Sequence, residues 1–185
     1  MGPVNINIHS DLIEQCKKGN ETAFRDIYRL YNKAMFNLCL RITGNVAEAE
    51  DVLQEAFISA FRKIDSFENR SSFGAWLKRI VINTAVNHMN KQKNSWVGLD
   101  EDRTQIANPE VVDVQSTDLQ VQKVKRAIDK LPGGYRVVLS LYLLEGYDHK
   151  EIAEVLSISE STSKTQYIRA KKKLRALLSE EVYHA

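Results

Sequence analysis

Five side chains near the C-terminus, Lys164, Thr165, Ile168, Arg169 and Lys172, recur at steps of three and four residues. On a helix that spacing places them on one face. They belong to the stretch SISESTSKTQYIRAKKKL, residues 157–174, which holds five basic residues and a single acid, Glu160. From Ser161 to Ala176 there is no acid at all, whereas solvated lysine-rich helices usually interleave the two signs. A face of this kind suits a polyanion. Ser161 and Thr162, at the helix start, can bond phosphates where the helix dipole is positive. Ile168, between Thr165 and Arg169, suits base edges and thymine methyls. The chemistry is non-covalent: docking of a helix in the DNA major groove.

Two further sets have a similar logic. Glu48, Asp51 and Glu55 stand at i, i+3 and i+7, opposite an apolar side formed by Val46, Ala49, Leu53, Ala56, Phe57, Ala60 and Ile64. Asp51 and Glu55 repel one another at i,i+4, a cost of a few tenths of a kcal/mol. With Ile58 at its edge, this stripe suits a basic partner helix, although a solvated face carries the same residues. Trp76, Ile80, Asn83 and Asn87 form a ridge behind the loop FENRSSF. Asparagines can read base edges and aromatics can stack on unpaired bases. Core packing of Phe73 and Trp76, and inter-helix bonding by the asparagines, account for these types equally well.

Covalent chemistry finds little support. The histidines, His9, His88, His149 and His184, are scattered, and no glycine-rich phosphate loop or metal-spaced cluster occurs. Cys16 and Cys39 sit in apolar helical patterns, as core thiols do. No cofactor, no metal site and no small-molecule substrate is expected.

These faces need helices to carry them. At 185 residues, 43% of them hydrophobic, the chain can bury one or two modest cores. Periodicity predicts helices over 10–18, 21–43, 45–64 and 73–91, then 119–130, 135–144, 148–156 and from 160 onward. Asn45 with Glu48, and Asp148, offer N-caps, while Gly19, Gly44 and Gly146 break the patterns. Between 93 and 118 the periodicity fades. Lys plus Arg against Asp plus Glu run 12 to 10 over residues 1–92, 2 to 6 over 93–118, and 12 to 8 over 119–185. The expected fold is therefore all-α, with two small helical domains, 1–92 and 119–185, joined by a flexible acidic linker, 93–118. No run approaches a membrane span and the N-terminus lacks a signal-peptide pattern, so the expected location is cytoplasmic.

Three stretches, AEDVLQEAFISAFRKIDSF, SSFGAWLKRIVINTAVN and HKEIAEVLSISESTSKTQYIRAKKKLRALL, together resemble one family. It is the extracytoplasmic-function group of bacterial RNA polymerase sigma factors, which have two domains and lack the larger middle one. The resemblance covers nearly all of residues 10–180, the linker matching only in length and character. It implies that Asp51, Gln54 and Glu55 dock on the basic coiled coil of the polymerase's largest subunit. It implies that the loop from Phe67 through Asn69 to Phe73, with Trp76, Asn83 and Asn87, opens the minus-ten element and holds a flipped base. Ser161, Thr162, Lys164, Thr165, Ile168, Arg169 and Lys172 would read the minus-thirty-five element. The linker would thread the polymerase cleft. The partners implied are core RNA polymerase, promoter DNA and an anti-sigma factor, which can be membrane-bound. The chain departs from the family where the recognition helix commonly begins Gly-Thr-Val: here it is Ser161-Thr162-Ser163, with Gln166 where a base is frequent. Two other classes stand beside this reading. A free-standing helix-turn-helix repressor leaves the acidic stripe and the Asn83 ridge unexplained, and an enzyme lacks its residues.

Overall fold

The computed structural model describes residues 9–95 and 118–183, with side-chain surroundings described for 9–91 and 122–179. Eight α-helices follow in order: α1 Ser10–Lys17, α2 Glu21–Thr43, α3 Val46–Arg62, α4 Phe73–Ser95, α5 Asp118–Asp129, α6 Gly133–Leu143, α7 His149–Leu156 and α8 Glu160–Tyr183. A 3-10 turn, Ile64–Ser66, follows α3. The described part of the chain is all helix, turn and loop. Residues 96–117, most of the expected linker, lie outside it. The helices flanking that segment run a little further into it than periodicity indicated, to Ser95 and from Asp118.

Local chemistry sets the helix ends. Asn20 caps α2 by accepting bonds from the amides of Thr22 (2.9 Å) and Ala23 (3.3 Å). Asn45 caps α3 through Glu48 N at 3.1 Å. Asp148 and Glu151 exchange the two bonds of a capping box on α7, each at 2.8 Å. Each such cap satisfies amides that would otherwise lack partners, typically for about 1 kcal/mol. At the start of α1, His9 occupies the cap position and provides no side-chain bond. The α7–α8 turn passes through Ser157, which adopts the left-handed region at φ 54. A non-glycine residue there is strained by roughly 1 kcal/mol.

Helices α1 to α4 enclose the larger core. Ile13, Ile27, Leu38, Ile42, Val52, Phe57, Phe73, Leu77 and Ile82 are buried in it. α4 is covered on two sides, by α2 and by α3. Cys16 and Cys39 are free and buried in the same core. Burial pushes the Cys39 thiol up to about 12, so it stays protonated and inert at neutral pH. The second module has a smaller core of Ile128, Leu131, Leu139 and Ala170, with Tyr135, Tyr167, Leu174 and Leu177 against it. The two modules also touch. Val137, Val138, Leu141 and Ile152 bury their side chains in continuity with the larger core, and α6 packs on both α2 and α8.

Candidate functional site

The acidic stripe is where the helical wheel put it. Asp51, Gln54 and Glu55 are exposed on α3, and beside them Ile58 presents 52% of its surface to solvent. Gln54 also lies in a shallow cleft of about 430 Å³ between α2 and α3, lined by Tyr28, Asn32, Lys33, Phe36, Glu50 and Leu53. These α2 residues were missed in the sequence. Their signal was a second stripe at Tyr28, Asn32 and Phe36, i, i+4 and i+8, which looks like core until α3 is seen to leave it open.

Glu55 joins a second depression. A groove of about 410 Å³ between α3 and α4 is lined by Glu55, Ser59, Lys63, Ile80, Asn83, Thr84, Asn87, Asn90 and Lys91. Asn83 and Asn87 are exposed on its wall, and Thr84 directs its hydroxyl back to Ile80 O at 2.9 Å. The groove offers amides and one apolar edge, a setting for a planar polar group such as a base.

The loop before α4 divides in two. Asn69 is exposed and left-handed at φ 57, a conformation asparagine tolerates better than most residues. Phe67 and Phe73 are only 2% and 1% exposed, and their rings meet each other and Trp76 at 5.4 Å between centroids. Trp76 is half-buried on that cluster. Phe67 and Phe73 therefore point into the bundle in this structure. They anchor the loop, because rings of their size contribute more to stability in a core than they could while exposed.

On α8 the expected outer face is open: Ser161, Thr162, Lys164, Thr165, Ile168, Arg169 and Lys172 are all exposed, Ile168 at 67%. Ser159 caps the helix, accepting from Thr162 N at 3.0 Å and sharing hydroxyl bonds with Ser161 and Thr162. Lys164 pairs with Glu160 at 2.6 Å. The hydrogen bond and charge of that lysine hold the Glu160 carboxyl below its usual range. The departure at Ser163 also has its answer. Ser163 is fully buried, and its Oγ lies 3.0 Å from His149 Nδ1. His149 stacks on Tyr142, 4.6 Å between centroids at 23°, with Tyr167 edge-on at 5.5 Å. A polar seam replaces an apolar contact between the two helices of the helix-turn-helix.

Family models for Sigma-70 region 2 and Sigma-70 region 4 match residues 27–95 and 122–174. The ECF RNA polymerase sigma factor SigW of Bacillus subtilis is 35% identical over 176 residues, 90% of this chain and 94% of that protein. The chain belongs to the extracytoplasmic-function sigma factors. The ECF RNA polymerase sigma-E factor of Escherichia coli strain K12 is 33% identical over 86% of this sigma factor and 88% of its relative. Among solved structures, the sigma factor RpoE in complex with the anti-sigma factor NepR from Bartonella quintana superposes with TM-score 0.58 at 25% identity. That likeness covers 84% of this chain and 96% of RpoE. CnrH, in complex with the cytosolic domain of CnrY, shares the fold, with TM-score 0.53 at 24% identity. This sigma factor thus acts in transcription initiation, binding core RNA polymerase and directing promoter recognition and DNA melting. Among its described residues no helix is long and apolar enough to cross a membrane.

Proposed function

We propose that this sigma factor divides initiation between three faces. Asp51, Gln54 and Glu55 dock core polymerase, with Tyr28, Asn32 and Lys33 of the adjoining cleft at the rim. Asn83 and Asn87, with Asn69 and Trp76 at the loop, receive the opened minus-ten strand in the α3–α4 groove. Ser161, Thr162, Lys164, Thr165, Ile168, Arg169 and Lys172 read the minus-thirty-five duplex in the major groove. The chain performs no bond chemistry of its own; polymerase supplies the catalysis, and binding energy supplies recognition and strand opening. It works in the cytoplasm, where polymerase and promoter are, and an anti-sigma factor holds it in reserve. RpoE crystallised with the anti-sigma factor NepR supports that partner class.

One observation carries the reading. Opposite charge faces stand open on separate modules: the exposed acids Asp51 and Glu55 on α3, and exposed bases on α8 in a helix-turn-helix. A stand-alone repressor would need only the second. The first has its use when a basic partner is present, and charge complementarity then sets both register and on-rate. Asp51→Lys combined with Glu55→Lys turns the attraction into repulsion. Core polymerase affinity is expected to fall on the order of a hundredfold, with helicity unchanged. Co-purification of the double variant with core at the wild-type level would overturn the docking assignment.

A further inference from the structure

Ser163 stands on the inward side of the recognition helix, fully buried, at a position where an apolar residue is common in the family. Its amide bonds Ser159 O at 3.0 Å within the helix, which leaves the hydroxyl for the neighbouring α7. There it meets Nδ1 of His149 at 3.0 Å. His149 is the first residue of α7, and Asp148, which caps that helix, fixes where its side chain departs. The half-buried imidazole is held from two further directions. Tyr142 of α6 stacks on the ring and Tyr167 of α8 meets it edge-on. The two tyrosines pack on each other at 4.5 Å between centroids. Stacked and edge-on pairs both favour defined ring angles, so α6, α7 and α8 together orient the atom that Ser163 bonds.

A hydrogen bond constrains what an apolar contact leaves free. An alkyl group packs over a range of angles, whereas a hydrogen bond weakens steeply once its angle falls below about 120°. In a buried seam no water replaces the lost partner, so misalignment is costly. The constraint acts on the rotation of α8 about its own axis. Lys164 and Thr165 follow Ser163 directly, each turned by about 100° from the last. Ile168 and Arg169 stand a turn further along the same outer face. A helix with its side chains has a radius of roughly 5–6 Å, so a rotation of about 10° moves their ends by about 1 Å. The working range of a base-edge hydrogen bond is narrower, about 0.5 Å. Phosphate contacts tolerate such a shift, and bidentate contacts to a base edge do not.

We propose that the His149–Ser163 hydrogen bond sets the rotation of the recognition helix, which makes the two residues positioning residues for minus-thirty-five choice. The proposal rests on the assignment of the outer face of α8 to that element. Neither residue touches the duplex. Ser163 lies on the opposite side of α8 from the reading residues, and His149 acts through it.

The test uses the full chain assembled with core polymerase. It measures transcription from the best promoter against single-base variants of the minus-thirty-five element, with a matched minus-ten series. Thermal melts of each protein set an assay temperature at which all are folded. Ser163→Ala and His149→Phe are each expected to lower the minus-thirty-five discrimination ratio about tenfold, the share of one bidentate base contact. The minus-ten ratio is expected to stay at the wild-type value. His149→Asn, whose amide reaches the place of Nδ1, is expected to recover most of the lost ratio. His149→Phe combined with Ser163→Val refills the seam with apolar groups, which can restore stability. Its melting temperature is expected to return toward wild type while its ratio stays low. Should Ser163→Ala not fold, His149→Phe against His149→Asn reads the same difference. A folded Ser163→Ala protein that keeps the full ratio overturns the proposal. So does one whose output falls equally on every site, or a double variant that recovers ratio and melting temperature together, because packing alone then accounts for the seam. A wild-type ratio near one overturns the assignment of the α8 face, and the positioning role with it. The positioning role fails alone when wild type and Ser163→Ala discriminate equally well.

Discussion

Arg169 and Lys171 are two residues apart on α8, yet they sit in different surroundings. Arg169 is exposed on the outer face with Thr165 and Lys172, whereas Lys171 lies 5.3 Å from the Tyr167 ring centre, off that face. Arg169→Ala is expected to cost about 1–3 kcal/mol on the best minus-thirty-five site and to relax its base preference. Lys171→Ala is expected to weaken every sequence about equally and to flatten the salt dependence. Binding across a minus-thirty-five mutant series at two salt concentrations checks both. Unchanged preference at every position in Arg169→Ala would remove it from the reading face. Lys164 has first to leave Glu160. At this scale the outer face was legible in the sequence, since exposure follows from periodicity alone. What an inward residue meets was not. Ser163 showed as a hydroxyl out of place, but its partner His149 is 14 residues away on another helix. The resemblance put Phe67 and Phe73 at the DNA whereas the structure buries them, and nothing in their type separates an anchor from a stacking platform.

Helices carry these residues, and their ends were the most legible part of the fold. Asn45, Asp148 and Gly44 all act where their side chains, or the lack of one, indicated, and Asn20 caps α2 besides. Such signals are local, so sequence contains them whole. The α3–α4 groove is not local. It exists because Ser59 and Lys63 of one helix stand apart from Asn83, Asn87 and Asn90 of the other, a separation set by how α3 packs on α4. If the groove receives an extruded base, its contribution is felt only when unstacking has to be offset, typically by a few kcal/mol. Asn83→Ala is therefore expected to slow open-complex formation on duplex promoters more than it weakens binding to a pre-melted template. Permanganate footprinting alongside binding to both templates measures this. Equal defects would make Asn83 a structural residue of α4.

At the scale of the whole molecule, two charge-bearing modules are set apart by a segment of opposite character, which composition along the chain had indicated. Their mutual contact had no such signal. Arg136 and Glu145 fall in helical patterns as ordinary charged residues, and their partners lie 95 and 104 positions away. Burial lowers the pKa of the Arg136 guanidinium, while Asp129 and then Glu48 oppose the shift. The charges that stabilise this arginine thus come from both modules. This molecule directs core polymerase to a class of promoters. Run-off transcription on genomic fragments, with core polymerase and with or without this chain, tests it most directly. The expected result is a set of discrete start sites that depend on the chain, each preceded by a common pair of sequence elements at a fixed spacing. Transcripts that start at the same places without it, or no specific start sites with it, would contradict the account.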